Sequence, residues 1–328
     1  MGQGRTLVRG ARLFGAFACA LLALIELMWV IQDVTAAAEP VDVWWLWAGM
    51  PSRAEGGIWG TSLIDPVLVC VHAVVAFIAL QSVAVAPGAL ASAAVATMAL
   101  RLPSLWMLQS DWMRVIDDDL RSRATLTAAA GVVIGAVLLV TVVAGRRPAD
   151  YEPPSPRPGR GASLTACVLL ATAALAGAAW QIHRAGEWGW ATYRKVLVGD
   201  GPQNVYALLQ PPYGWLGWTV VALSLAGAVA ALRRTTWARA LGSTAAVILL
   251  ARGLTGISAQ QRSEMLAHLG DLPLQEQLSV ATALFETLAG FLVLTVLARR
   301  GERLVPDAGG DAYGYREGEP YAVQPPRW

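Results

Sequence analysis

Eight apolar stretches, each about 20 residues long, run through this 328-residue chain. A hydrocarbon layer about 30 Å thick asks for helices of that length, because a lone helix satisfies its own backbone groups where there is no water. The stretches predict spans at 12–31, 63–84, 88–108, 124–144, 163–183, 213–232, 238–258 and 277–298. Composition agrees: 55% of residues are hydrophobic and 15% charged, against about 45–50% and about 25% in soluble domains. The fold class is an all-α integral membrane protein with eight transmembrane helices.

Flanking charge sets the expected orientation. Arg5, Arg9 and Arg12 precede the first span; Arg146, Arg147, Arg157 and Arg160 lie between the fourth and fifth. Arg233, Arg234 and Arg239 lie between the sixth and seventh, and Arg299, Arg300 and Arg303 follow the eighth. Basic loops stay on the cytoplasmic side, so both termini are expected there. The alternate loops carry acids and tryptophans, as in VDVWWLW at 41–47, whose density suggests an amphipathic lid in the outer interface. The basic start followed by TAAAEP at 35–40 also has the outline of a signal peptide and its cleavage site, but the first run is long for one. High Ala, Gly and Arg usage suits a GC-rich genome, and the expected location is a bacterial plasma membrane.

The two halves resemble each other. ACALLALIEL at 18–27 matches ACVLLATAAL at 166–175, setting Cys19 on Cys167, and a slip of three residues brings Trp29 onto Trp180. ALASAAVATMALR from 89 matches ALGSTAAVILLAR from 240, setting Arg101 on Arg252. Four helices per half is an even number, so the expectation is two parallel repeats about an axis along the membrane normal, with a site at their interface. The units are then 1–145, a cytoplasmic Pro-rich linker at 146–162, 163–300, and a tail at 301–328 too poor in aliphatic residues to build a core.

Five ionisable residues fall inside the spans: Glu26, His72, Arg101, Arg252 and Glu286. At about 1.5 Å per residue they share a layer roughly 7–15 Å below the outer boundary. Charges at that depth cost about 2.5–3.5 kcal/mol on insertion scales, so they pair or face a wet cavity. One reading pairs Glu26 with Arg101 and Arg252 with Glu286 as structural locks; snorkelling of the arginines to the headgroups is another. The functional reading makes all five residues a binding site for a small or lipid-linked anion in an outward-facing cavity between the repeats. Pro103 after Arg101 and Gly253 and Gly256 after Arg252 suggest that the helices loosen there.

Other chemistry finds little footing. Cys19, Cys70 and Cys167 form no paired motif, only His72 of three histidines is well embedded, and the acids Asp117, Asp118 and Asp119 diverge around a helix. No cofactor, metal or nucleic acid is indicated, and enzyme activity is not favoured, although a membrane transferase using His72 and Asp65 is conceivable. The partners expected are the bilayer, an anionic lipid or small anion, and a protein bound through the tail. The second functional class is a non-catalytic membrane subunit or scaffold.

Overall fold

The computed structural model describes residues 5–50, 58–82, 84–148, 157–201 and 207–299. Eight helices long and apolar enough to cross a membrane appear among them, which makes the chain a multi-pass membrane protein by length and composition. The spans are α1 (Arg9–Ala36), α3 (Ile64–Gln81), α4 (Ala86–Arg101), α6 (Asp118–Ala144), α7 (Arg160–Val198), α8 (Tyr213–Leu232), α9 (Ala238–Arg262) and α10 (Leu274–Ala298). Two short helices, α2 (Pro40–Trp47) and α5 (Ser104–Met107), lie in the connections at one end. Pro103 lacks the backbone N–H that would continue α4, so the third span breaks into α4 and α5.

Two expectations change. The stretch 185–211 is not all loop: α7 runs to Val198, and Gly189 at φ 71°, ψ 151° breaks it so that the last turns leave the direction of the span. No loosening follows Arg252, since α9 continues to Arg262. Gly253 and Gly256 serve close packing instead; a Cβ at Gly253 would press on the Ala283 carbonyl and Thr287 of α10. Asp117 caps α6 by accepting from the Asp119 and Leu120 amides, so the acidic triplet starts a helix. The tail at 301–328 and most of the Pro-rich linker fall outside the described residues.

The Arg-rich connections gather at one end. Arg5–Leu7 pairs antiparallel with Arg146–Pro148 in a two-stranded ribbon, tying the N-terminal segment to the end of α6. Arg146 stacks over Trp237 at 5.1 Å, and Arg239 Nη2 donates to the Arg299 carbonyl at 2.5 Å. The opposite end carries α2, α5 and the tryptophan-rich connections.

Packing follows the same order in both halves. In the first, α1 packs on α3, α3 on α4, α4 on α6 and α6 back on α1; in the second, α7 packs on α8, α8 on α9, α9 on α10 and α10 back on α7. Small residues let these helices approach closely where lipid supplies no hydrophobic drive. A Cβ at Gly135 would press on the Ala94 carbonyl and Met98; one at Gly290 would press on the Ala246 carbonyl and Leu250. Trp29 Nε1 donates to Thr127 Oγ1 at 3.0 Å, and Trp180 Nε1 donates to Thr282 Oγ1 at 3.0 Å. Central α4 and α9 touch each other, joined by the Ser92–Thr244 hydroxyl bond at 2.8 Å. Apolar side chains such as Phe17, Met28, Phe77, Val140, Leu175 and Phe291 point outward, as lipid-facing positions should.

Candidate functional site

Similar contacts recur in the two halves. Ala94 and Met98 of α4 pack on Gly135 of α6, and Ala246 and Leu250 of α9 pack on Gly290 of α10. On α3, Asp65, Leu68, Val71, His72, Val75, Ala76 and Ala79 are buried; on α8 so are Gly217, Val220, Leu223, Ser224, Gly227, Ala228 and Ala231, in the same spacing.

The five ionisable residues do not form one site. Glu26, His72 and Arg101 lie in a closed cluster inside the first half, together with Asp65. Arg101 is 1% exposed; its Nη2 donates to Asp65 Oδ1 at 2.5 Å and to Glu26 Oε1 at 3.4 Å, and its Nη1 donates to the Leu209 carbonyl at 3.0 Å. His72 bridges Glu26 Oε2 at 2.9 Å and Thr97 Oγ1 at 2.7 Å. Gly131 of α6 packs on the Arg101 stem. Each charge has an opposite charge or a hydrogen-bonding partner, which a dry interior demands.

Arg252 and Glu286 lie in the second half, 3.3 Å apart, on the wall of a cavity of about 730 Å³. The expected pairings of Glu26 with Arg101 and of Arg252 with Glu286 thus both form, in different surroundings. The cavity lies largely within the second bundle rather than centred between the halves. Trp180, Gln181 and Arg184 of α7, Tyr213 and Gly217 of α8, and Gln260 of α9 line it. Gly177 and Gly217 line it too, and the Gln181 side chain packs against Gly217.

Segments from the first half roof the cavity. Thr61 to Ile64 and the end of α2, Leu46 and Trp47, contribute to its lining. Asp33 holds this roof by accepting from the Gly60 amide at 2.9 Å, the Thr61 amide at 2.6 Å and the Thr61 hydroxyl at 2.5 Å. Gly60 must be glycine, because a Cβ there would collide with the Trp29 ring. Trp47 Nε1 donates to Thr61 Oγ1 at 3.2 Å, and the Ser62 amide donates to Asp65 Oδ2 at 2.6 Å. Beside it, the Leu208 and Leu209 amides donate to the Trp59 and Gly60 carbonyls. Arg101 thus grips both sides of the roof, through Asp65 and through Leu209. The tryptophan-rich stretch at 41–47 forms most of α2, and Arg262 of α9 stacks over its Trp45 at 4.2 Å.

Sequence reasoning missed Arg184, Gln181, Gln260 and Asp33, and gave Asp65 another role. Arg184 follows Trp180 by four residues, one turn further on the same helical face, which was the available signal. Its guanidinium stacks over Tyr213 at 4.6 Å and Trp180 at 5.6 Å. Among the described residues no group of three or more His, Cys, Asp or Glu side chains is arranged to hold a metal ion. No family model, curated protein or solved structure matches this chain.

Proposed function

We propose that the protein binds or moves a small or lipid-linked anion in the cavity of its second helical half. The carrying observation is the charge of that cavity: Arg184 and Arg252 line it with only Glu286 to oppose them, among the described residues. A net positive, partly enclosed space at membrane depth is costly unless a ligand or water answers it. Trp180, Trp188 and Tyr213 add aromatic wall that suits an apolar part of the same ligand.

The rest of the architecture serves this reading. The chain is two four-helix repeats of parallel sense, related by a pseudo-two-fold axis passing by Ser92 and Thr244, which correspond to each other and share a hydrogen bond. With the basic end facing the cytoplasm, both termini are inside and the cavity opens outward, in a bacterial plasma membrane. The closed Arg101 cluster favours a structural role for its own half, the one point in support of a scaffold that offers its tail to a partner.

Filling the cavity tests the reading. Gly177→Leu puts bulk where only the end of the Val221 side chain stands in the way, and helical glycine is itself destabilising by about 0.5–1 kcal/mol against alanine. The variant is expected to melt within a few degrees of wild type and to lose anion binding, followed by the fluorescence of the cavity tryptophans and by uptake into proteoliposomes. Unchanged binding or uptake in a folded Gly177→Leu protein overturns the assignment of this cavity. Deleting 301–328 is expected to leave binding intact; a loss there supports the scaffold.

A further inference from the structure

The break in α7 at Gly189 brings a hydrogen-bond donor to the cavity wall in a fixed orientation. We infer that Gln181 is a ligand-binding residue of the cavity, whose side-chain NH2 donates to an oxygen of the bound anion beside Arg184; the ligand is then an organic oxyanion. This rests on the reading of the cavity as an anion site.

Gln181 and Tyr193 are twelve residues apart on α7, about 18 Å along an unbroken helix. Gly189, at φ 71° and ψ 151°, takes a backbone conformation that residues with a Cβ avoid, and it turns the last part of α7 aside. That part packs on the start of α8, where the Leu197 backbone leaves little room for a Cβ on Gly214. The Tyr193 hydroxyl thereby donates to Gln181 Oε1 at 3.0 Å, while Trp218 Nε1 of α8 donates to the same hydroxyl at 2.7 Å.

This relay sets which end of the amide faces which way. A hydroxyl has one hydrogen, and a Tyr193 oxygen that accepts from Trp218 sends its own hydrogen to Gln181. Turned over, the amide would leave that hydrogen without an acceptor. The NH2 group is left free: it meets no acceptor among the described residues, it is not sealed by its neighbours, and its residue lines the cavity. Gln181 as a whole is 3% exposed, so the donor is held in the wall. Gly217 of α8 makes the room, since the three atoms nearest to a Cβ there all belong to the Gln181 side chain.

Arg184 lies three residues beyond Gln181, a neighbour on the helix surface, with its guanidinium stacked over Tyr213 and Trp180. A stacked guanidinium beside an oriented amide donor matches two oxygens of one carboxylate or phosphate group. A volume of about 730 Å³ with aromatic walls suits the organic part of such a molecule.

The experiment uses the full chain in phosphatidylcholine nanodiscs, with binding read by native mass spectrometry against three probes: phosphatidylglycerol, its soluble headgroup glycerophosphoglycerol, and oleate. Wild type is expected to bind at least one. Gln181→Leu is expected to weaken that binding roughly tenfold, the worth of one good polar contact. Tyr193→Phe frees the amide to turn and Gly217→Ala pushes it from its place, so each is expected to weaken binding roughly threefold to tenfold. Neither change should cost anything further in the Gln181→Leu background, where a merely structural effect of Tyr193 or Gly217 would persist. Binding of glycerophosphoglycerol identifies a free anion as the source, and lipid-only binding identifies a membrane-borne one; either supports the chemistry. Wild-type affinity in a folded Gln181→Leu protein, with affinity lost in Arg184→Gln, overturns the role of Gln181 and leaves the anion site standing. If melting shows that Gln181→Leu does not fold, Tyr193→Phe and Gly217→Ala carry the test, and wild-type affinity in both overturns the inference. Wild type binding none of the probes, or binding them as well after Arg184→Gln in a folded protein, overturns the anion site itself.

Discussion

Arg101 Nη2 lies 2.5 Å from Asp65 Oδ1, with both side chains sealed from solvent inside the first helical half. A pair of this kind holds its neighbours in place more than it adds stability, since desolvating two charges offsets most of their attraction. Breaking it from one side is another matter. Arg101→Met leaves Asp65 and Glu26 buried without their cation and is expected to cost about 3–5 kcal/mol. Asp65→Leu leaves Glu26 as a remaining acid partner and is expected to cost less. Melting temperatures in one detergent check the order, and equal costs for the two changes speak against the cluster as drawn.

Arg252 is expected to behave differently, although it too has a carboxylate partner. Its side chain is 28% exposed, on the wall of a cavity, so the pair with Glu286 is worth about 1 kcal/mol or less. Arg252→Met should fold, lose anion binding, and regain none of it when Glu286→Leu is added. Recovery of both stability and binding in the double variant, measured by melting and by the tryptophan-fluorescence binding assay, identifies a purely structural pair.

Asp33 collects three hydrogen bonds from Gly60 and Thr61 and so anchors the cavity roof. Asp33→Ala is expected to cost roughly 2–3 kcal/mol, since hydrogen bonds to a charged group are stronger than neutral ones. It should also free the roof locally. Amide hydrogen exchange over 60–65 checks this, with faster exchange confined to that segment; unchanged exchange there means that Asp65 and Trp47 suffice to hold it.

Topology has a direct test. In a background with Cys19, Cys70 and Cys167 replaced, single cysteines at Arg157 and Gly159 are expected to react only after the membrane is opened. Cysteines at Lys195 and Asp200, both exposed, should react with an impermeant reagent in intact cells. The reverse pattern turns the cavity to the cytoplasm.

How much of this was legible in the chain depends on which force decides each feature. The eight spans were readable because bilayer thickness acts on local composition alone: α8 runs Tyr213–Leu232, where the apolar stretch itself begins and ends. The basic end was readable for the same reason, as arginines between spans are adjacent in sequence. That Glu26 meets Arg101 and Glu286 meets Arg252 also followed from depth and opposite charge.

Helix rotation was not legible. Apolar composition sets the depth of a residue but not the face it takes, and one residue along a helix turns a side chain by about 100°. Tertiary structure alone therefore decided that Arg101 is enclosed and that Arg252 faces a cavity. It also decided that Arg184 lies between Trp180 and Tyr213. The sequence by itself determined how many helices cross the membrane and where charge is expensive. Which charges face each other and which face a void depends on helix rotation, and that is set by contacts between residues far apart in the chain.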